Sequence, residues 1–249
     1  MGKKQAATSR CGQLIQFLEL IKDFFCKAKQ DAPAVVEAYE IDQLIHYLNN
    51  VEDTGLVNIC FERISFRIST SSMNPIPKVK GNKANVCLSM KYDWNKNGSI
   101  REYPTDEERK RGCEIYDCNI EIKAIEEKGE YRKFSWHLDC EESTNGKFVH
   151  PHFHFHAGGK KISDLNTGQL LMLASPRIAY PPMDLPLAIN FVIRNFVHRD
   201  EMSDQYAILH KDAYKTTVRQ SELNILKPYF EEVCKKVGTE ENRYFPVML

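Results

Sequence analysis

The chain's hydrophobic and polar positions follow two periods, and the change between them divides it into three zones. In "CGQLIQFLELIKDFFCKA", Leu14, Phe17, Leu18, Ile21, Phe24 and Phe25 recur at helical spacing. "DAPAVVEAYEIDQLIHYLNN" opens on Asp31 as an N-cap and ends in Asn-Asn, which predicts a second amphipathic helix. Residues 9–50 are therefore expected to be helical. From about 55 to 180 the period drops to two. In "NICFERISFRIST", Ile64, Phe66 and Ile68 share one face, with Arg63, Ser65 and Arg67 on the other. "NVCLSMKYDW" alternates in the same way through Val86, Leu88, Met90 and Tyr92. "CEIYDCNIEIKAI", "YRKFSWHLDCEE" and "FVHPHFHFHA" read as further strands, and "LLMLASPRIAY" as another candidate.

Helical spacing returns over 184–237. "PPMDLPLAINFVIRNFV" predicts a helix capped by Asp184, with Pro186 tolerated in its first turn. Two more helices are expected at about 202–214 and 220–237, the second started or kinked by Pro228. The expected architecture is one α+β domain over 1–249. It has a curved antiparallel sheet of five to seven strands, with helices from both ends on one face and water on the other.

Turn chemistry sets the expected strand registers. Between the third and fourth strands, "EKG" fits a three-residue loop with Gly129 left-handed, which opposes Asp117 to Asp139, Asn119 to His137 and Glu121 to Ser135. After the fourth strand, Asn145-Gly146 is a two-residue hairpin signal. If it forms the turn, Asp139 faces His152, His137 faces His154 and Ser135 faces His156, while Leu138 meets Phe153 and Trp136 meets Phe155. A slip of one residue would set histidine against tryptophan.

The resulting polar face concentrates titratable groups: Asp117, His137, Asp139, His152, His154 and His156. Opposed residues have Cβ atoms about 4.5–5.5 Å apart, so such side chains can converge on one atom. Asp117 beside Asp139 is a like-charge pair that needs a cation, a histidinium or a proton between its members. Three readings follow. The first is a metal centre with Asp117, Asp139, His152, His154 and His156 as ligands, zinc or manganese being the expected ion. The second is acid–base catalysis by His137, Asp139, His152 and His154, with Arg177 of "SPRIAYPP" steadying a phosphate. The third is a solvated or partner-binding face that carries histidine because a half-wet strand must carry something polar.

Composition narrows the function classes. Over 249 residues the formal net charge is +0, which removes a strongly basic domain as an argument for nucleic acid but leaves room for a local patch. Lys78, Lys80 and Lys83, in "SSMNPIPKVKGNK", are such candidates. No apolar run approaches the roughly 20 residues of a membrane span, and no signal-peptide pattern follows "MGKKQAATSR". A cytoplasmic protein without membrane partners is expected. The eight cysteines include no CxxC and are expected to be reduced.

Two other motifs weigh less. "DWNKNGSI" begins like a calcium loop but has Pro104 where the bidentate glutamate belongs, so a hairpin turn at Asn97-Gly98 accounts for it better. "RNFVHRD" places Arg194 and His198 four residues apart on one helical face.

"WHLDCEESTNGKFVHPHFHFHAGG" followed by "SPRIAYPPMDLPLAINFVIRNF" resembles a group of uncharacterised bacterial proteins that share an HPHxHxH strand, an "RI" segment and a Pro-led helix ending in "RNF". The likeness covers roughly residues 131–197 and carries no established activity. It implies a toxin or phage-defence setting. The leading expectation is a phosphodiester-cleaving, nuclease-like protein, with nucleic acid as its partner. The alternative is a non-enzymatic subunit of a multiprotein defence complex, docking a partner protein of the same operon.

Overall fold

Alternating apolar positions in the middle of the chain become one antiparallel meander. The computed structural model describes residues 9–25, 38–51, 55–70, 83–95, 98–101, 105–111, 115–125, 131–140, 152–158, 178–200, 202–237 and 239. Helices α1 (Arg10–Phe25) and α2 (Ala38–Asn50) precede strands β1 (Val57–Ser69) and β2 (Lys83–Trp94). A short helix α3 (Asp106–Arg111) leads to β3 (Tyr116–Ile125), β4 (Tyr131–Cys140), β5 (Phe153–Ala157) and β6 (Ile178–Ala179). The six strands lie in sequence order, each antiparallel to the next. The fold is α+β. The expected N-cap at Asp31 lies outside the described residues.

One face of the sheet is the core. It presents Phe66 and Ile68 from β1, Val86, Leu88 and Tyr92 from β2, Tyr116, Cys118 and Ile120 from β3, Leu138 from β4 and Phe153 from β5, all buried. β1 changes face halfway. Phe61 pairs with Met90 but Ile64 pairs with Leu88, so one extra residue intervenes. This bulge lets Val57, Ile59 and Phe61 share the inner face with Ile64, Phe66 and Ile68 despite their opposite parity.

Helices from both ends cover that face. Phe25 of α1 meets Phe66 edge-on at 5.3 Å between ring centroids. A helix α4 (Leu185–Phe196) sets Phe196 5.6 Å from Trp136 and Phe191 5.9 Å from Phe155. Asp184 caps α4 through Oδ1, which accepts from the Leu187 N–H at 3.1 Å, and Pro186 sits in the first turn as expected. Two buried phenols bind the approach to α4. Tyr116 Oη accepts from the Met183 N–H at 2.9 Å and donates to the Met183 carbonyl at 3.0 Å, and Tyr92 Oη accepts from the Leu185 N–H at 3.0 Å.

The C-terminal helices differ from expectation in their boundaries. A four-residue α5 (Ser203–Tyr206) runs into a 3-10 turn at Ala207–His210, and the break falls at Lys211, whose backbone is extended. Helix α6 (Asp212–Ser221) then continues through a π turn (Glu222–Leu226) into α7 (Lys227–Lys236), where two separate helices were expected. Pro228 follows the π turn. It has no N–H to donate to an i−4 carbonyl, and the wider turn accommodates that loss within the run.

The segment "DWNKNGSI" forms a turn. The Asn95 N–H donates to the Ser99 carbonyl at 2.8 Å, and Gly98 is left-handed with φ +82°. The Asp93 side chain accepts from Asn58 at 2.6 Å and from Arg101 Nε at 2.9 Å, so it is engaged by two protein donors. Arg194 and His198 do not share a helical face, because α4 ends at Phe196 and Val197 has extended backbone. Among the described residues no helix is long and apolar enough to cross a membrane.

Candidate functional site

The β3–β4 ladder has the expected register: Asp117 opposes Asp139, Asn119 opposes His137 and Glu121 opposes Ser135. The β4–β5 ladder is shifted by two residues from expectation. Asp139 opposes His154, His137 opposes His156, Leu138 opposes Phe155 and Cys140 opposes Phe153. Within the ladder, from Phe153 to Ala157, each side chain keeps its expected face, because a strand repeats every two residues. Only the partners change. The paired numbers sum to 293 where 291 was expected, and the expected turn at Asn145-Gly146 lies outside the described residues.

That shift removes His152 from the Asp139 site. It lies just before β5 and is buried, with its ring edge-on to Phe153 at 5.0 Å. Its Nε2 is 3.4 Å from Cys140 Sγ, on the apolar side of the sheet. The expected pairing of His152 with Asp139 is thus corrected. Residue 152 precedes the ladder, and its ring packs with the core aromatics instead of alternating outward. Arg177, Lys78, Lys80 and His150 lie outside the described residues, and Lys83 is exposed at the start of β2.

The remaining groups form one connected cluster. Asn119 Nδ2 donates to Asp117 Oδ2 at 2.7 Å, and Asp117 Oδ1 lies 2.6 Å from His137 Nε2. The other ring nitrogen, His137 Nδ1, is 3.8 Å from Asp139 Oδ2. His156 Nε2 approaches the same oxygen to 3.7 Å. His154 Nε2 lies 2.7 Å from Asp139 Oδ1, at ion-pair distance but without hydrogen-bond alignment. The two opposed carboxylates expected from sequence are both present, and His137 bridges them. The imidazoles gather closely, with His137 and His156 ring centroids 5.0 Å apart and His154 and His156 5.6 Å apart.

This face is drier than a wet strand surface. Ser65, Asn119, Ser135 and His154 are buried, the last with no exposed area. Asp139, His137 and His156 keep 26%, 25% and 17% of their side-chain area exposed, so the cluster is reached from one side. Burial pushes the Asp139 carboxyl up. The His154 and His156 contacts and the charge of His154 and His137 outweigh burial and hold it well below the usual carboxylate range.

His137, Asp139 and His156 each offer a metal-ligating atom, all within 4.8 Å of one another. Asp117 and His154, expected as ligands, stand one layer further out in this arrangement. Asn119 was legible on the polar face but was not singled out. Its signal was its position two residues from Asp117 and directly opposite His137.

No family model, curated protein or solved structure matches the chain. None of these comparisons bears on the likeness of residues 131–197 to the His-rich bacterial group.

Proposed function

We propose that the chain is a hydrolase that cleaves phosphodiesters at the His/Asp cluster of the β3–β5 face. The observation that carries this reading is the gathering of Asp117, His137, Asp139, His154 and His156 on one face, each within 4 Å of another, with Asn119 holding Asp117. Such a cluster holds imidazole and carboxylate groups that can move protons themselves or fix an ion that activates water. Acyl transfer is less well served, because no serine or cysteine lies within the cluster. Arg63, Lys91, Lys123 and Lys133 share this face by strand parity, with Lys91 opposite Asp117 and Lys123 opposite Lys133. Cations beside an acid–base cluster suit a phosphate-bearing chain. The described cysteines Cys11, Cys60, Cys87, Cys118, Cys140 and Cys234 carry free thiols, which supports a reducing compartment such as the cytoplasm.

Incubation of purified protein with labelled single- and double-stranded RNA and DNA tests the reading. His137→Ala and His156→Ala are expected to lower the cleavage rate by about 100-fold or more, the usual worth of a positioned acid or base. His152→Ala, checked for folding by circular dichroism, is expected to keep it. Absence of cleavage on all four substrates, or cleavage indifferent to His137 and His156, would overturn the proposal.

A second reading has one observation behind it. Phe230 and Leu223 are 49% and 47% exposed, and Phe230 lines a cleft with Phe191, Leu226 and Arg194. A partner-docking role would use that surface. It would not use His154, which is fully buried.

A further inference from the structure

We propose that His137, Asp139 and His156 are the protein ligands of a zinc-class divalent ion, with Asp117 and His154 as the residues that aim them. As a catalytic element the ion rests on the hydrolase reading above; as a binding site it stands on its own geometry.

The distances favour an ion over hydrogen bonding. Asp139 Oδ2 lies 3.8 Å from His137 Nδ1 and 3.7 Å from His156 Nε2, both beyond hydrogen-bond reach. An ion bonded at about 2.0–2.1 Å keeps tetrahedral ligand atoms about 3.4 Å apart. One ligand atom from each residue already lies within 4.8 Å of the other two. Modest side-chain rotation therefore closes all three around one point. Two imidazoles and one carboxylate are a borderline-soft set that suits zinc and its neighbours over magnesium or calcium.

The outer residues have the arrangement that orients metal ligands. A ligating histidine commonly gives its second ring nitrogen to a carboxylate, which fixes the tautomer and the ring plane. Asp117 Oδ1 occupies that place at 2.6 Å from His137 Nε2, and Asn119 holds the other Asp117 oxygen at 2.7 Å. His137 Nδ1 is then the nitrogen facing Asp139. Asp139 is itself positioned on its far side: His154 Nε2 lies 2.7 Å from Oδ1, which leaves Oδ2 toward the two histidines. His154 has no exposed area, so it supports from within and does not compete as a surface ligand. Three protein ligands leave a fourth position, and the partial exposure of His137, Asp139 and His156 lets water reach it. A zinc-bound water deprotonates near neutral pH and supplies the nucleophile that hydrolysis needs.

Calorimetric titration of chelator-treated full-length protein with zinc chloride tests the site, with cobalt(II) absorption as a second readout. One equivalent per chain is expected, together with a tetrahedral cobalt spectrum. His137→Gln, Asp139→Asn and His156→Gln should each weaken zinc binding by more than 100-fold, and Asp117→Asn and His154→Gln by about 10–100-fold. His46→Ala, on the exposed side of α2, should leave it unchanged. Magnesium chloride should produce no saturable binding. Circular dichroism keeps unfolded variants from being counted as losses. No stoichiometric zinc in the wild type, or zinc indifferent to the three ligand variants, overturns the site. Zinc bound with no substrate cleaved leaves the site standing and removes the hydrolase reading. Cleavage that persists in the chelated protein keeps the hydrolase reading and removes the ion from its chemistry, while the titration alone decides the site.

Discussion

At the residue scale, Asp139 is the pivot of the cluster. Both its oxygens face histidine, at 2.7 Å on one side and at 3.7 and 3.8 Å on the other. Its folded carboxyl sits well below the ordinary carboxylate range, because the histidine contacts outweigh the burial that pushes it up. A depressed carboxyl adds stability that is fully present above its unfolded value, about 3.9, and is lost as pH falls through the folded one. Asp139→Asn should therefore destabilise the protein by about 1–3 kcal/mol at pH 7, the range for leaving a buried polar partner unmatched. The gap between variant and wild type should narrow steadily below pH 4. Urea unfolding at pH 7 and pH 3 checks this, and a gap that is constant or widens in acid would contradict it. The wild-type contribution at this residue was partly legible. Asp139 opposite Asp117 followed from the expected "EKG" loop, whereas its contact with His154 did not follow from any local signal.

At the element scale, short polar signals decide where helices begin. The box Thr105–Glu108 opens α3: the Glu108 N–H donates to Thr105 Oγ1 at 3.3 Å and the Thr105 N–H to Glu108 Oε2 at 2.8 Å. That pattern was present in the sequence, yet α3 was not expected, because its six residues carry no apolar periodicity. Arg101 Nη1 reaches Glu108 Oε2 at 2.6 Å, and this hydrogen bond, more than any other contact, brings the Glu108 carboxyl down to about 2. Asp184 combines two duties at the start of α4. It caps the helix, and its Oδ2 accepts from Arg10 Nη2 at 3.0 Å, so the first helix is tied to the fourth through a fully buried carboxylate. Burial pushes that carboxyl up despite Arg10, so desolvation offsets part of the pair's attraction. Asp184→Ala is expected to cost about 3–5 kcal/mol, since it removes a cap and strands Arg10 in a largely buried place. Asp184→Asn retains a capping oxygen and should cost less. Thermal or urea unfolding of the two variants gives the order, and equal losses would show that the cap adds nothing beyond the ion pair.

At the scale of the whole molecule, the first helix meets the C-terminal helices. Phe17 of α1 stacks on Tyr214 of α6 at 5.2 Å, and both are buried. Two residues 197 positions apart in sequence thus share one core. Phe17→Ala should cost about 3–5 kcal/mol in urea unfolding, because a fully buried aromatic leaves a cavity between layers that cannot both relax. A loss under 1 kcal/mol would mean that α1 is not part of the cooperative core.

What the sequence by itself determined is parity. Alternation sorted each strand into an apolar and a polar face, and the spacing about "EKG", itself outside the described residues, predicted the β3–β4 register that is found. The Asp-x-Pro start of α4 needed no tertiary context. These are local properties, decided by side-chain period, turn geometry and a cap. The tertiary structure decided what parity leaves degenerate. A two-residue slip keeps every side chain on its own face, so alternation cannot distinguish Asp139 against His152 from Asp139 against His154. Packing separates the two. In the observed register Phe155 contacts Tyr180 and Phe191 at 5.3 and 5.9 Å, and Phe153 contacts Tyr116 at 5.3 Å. Those partners come from β3 and from the segment beyond β5, and they assemble only when the sheet and its helices close together. The same closure turns His152 toward Cys140 and brings His154 and His156 to Asp139.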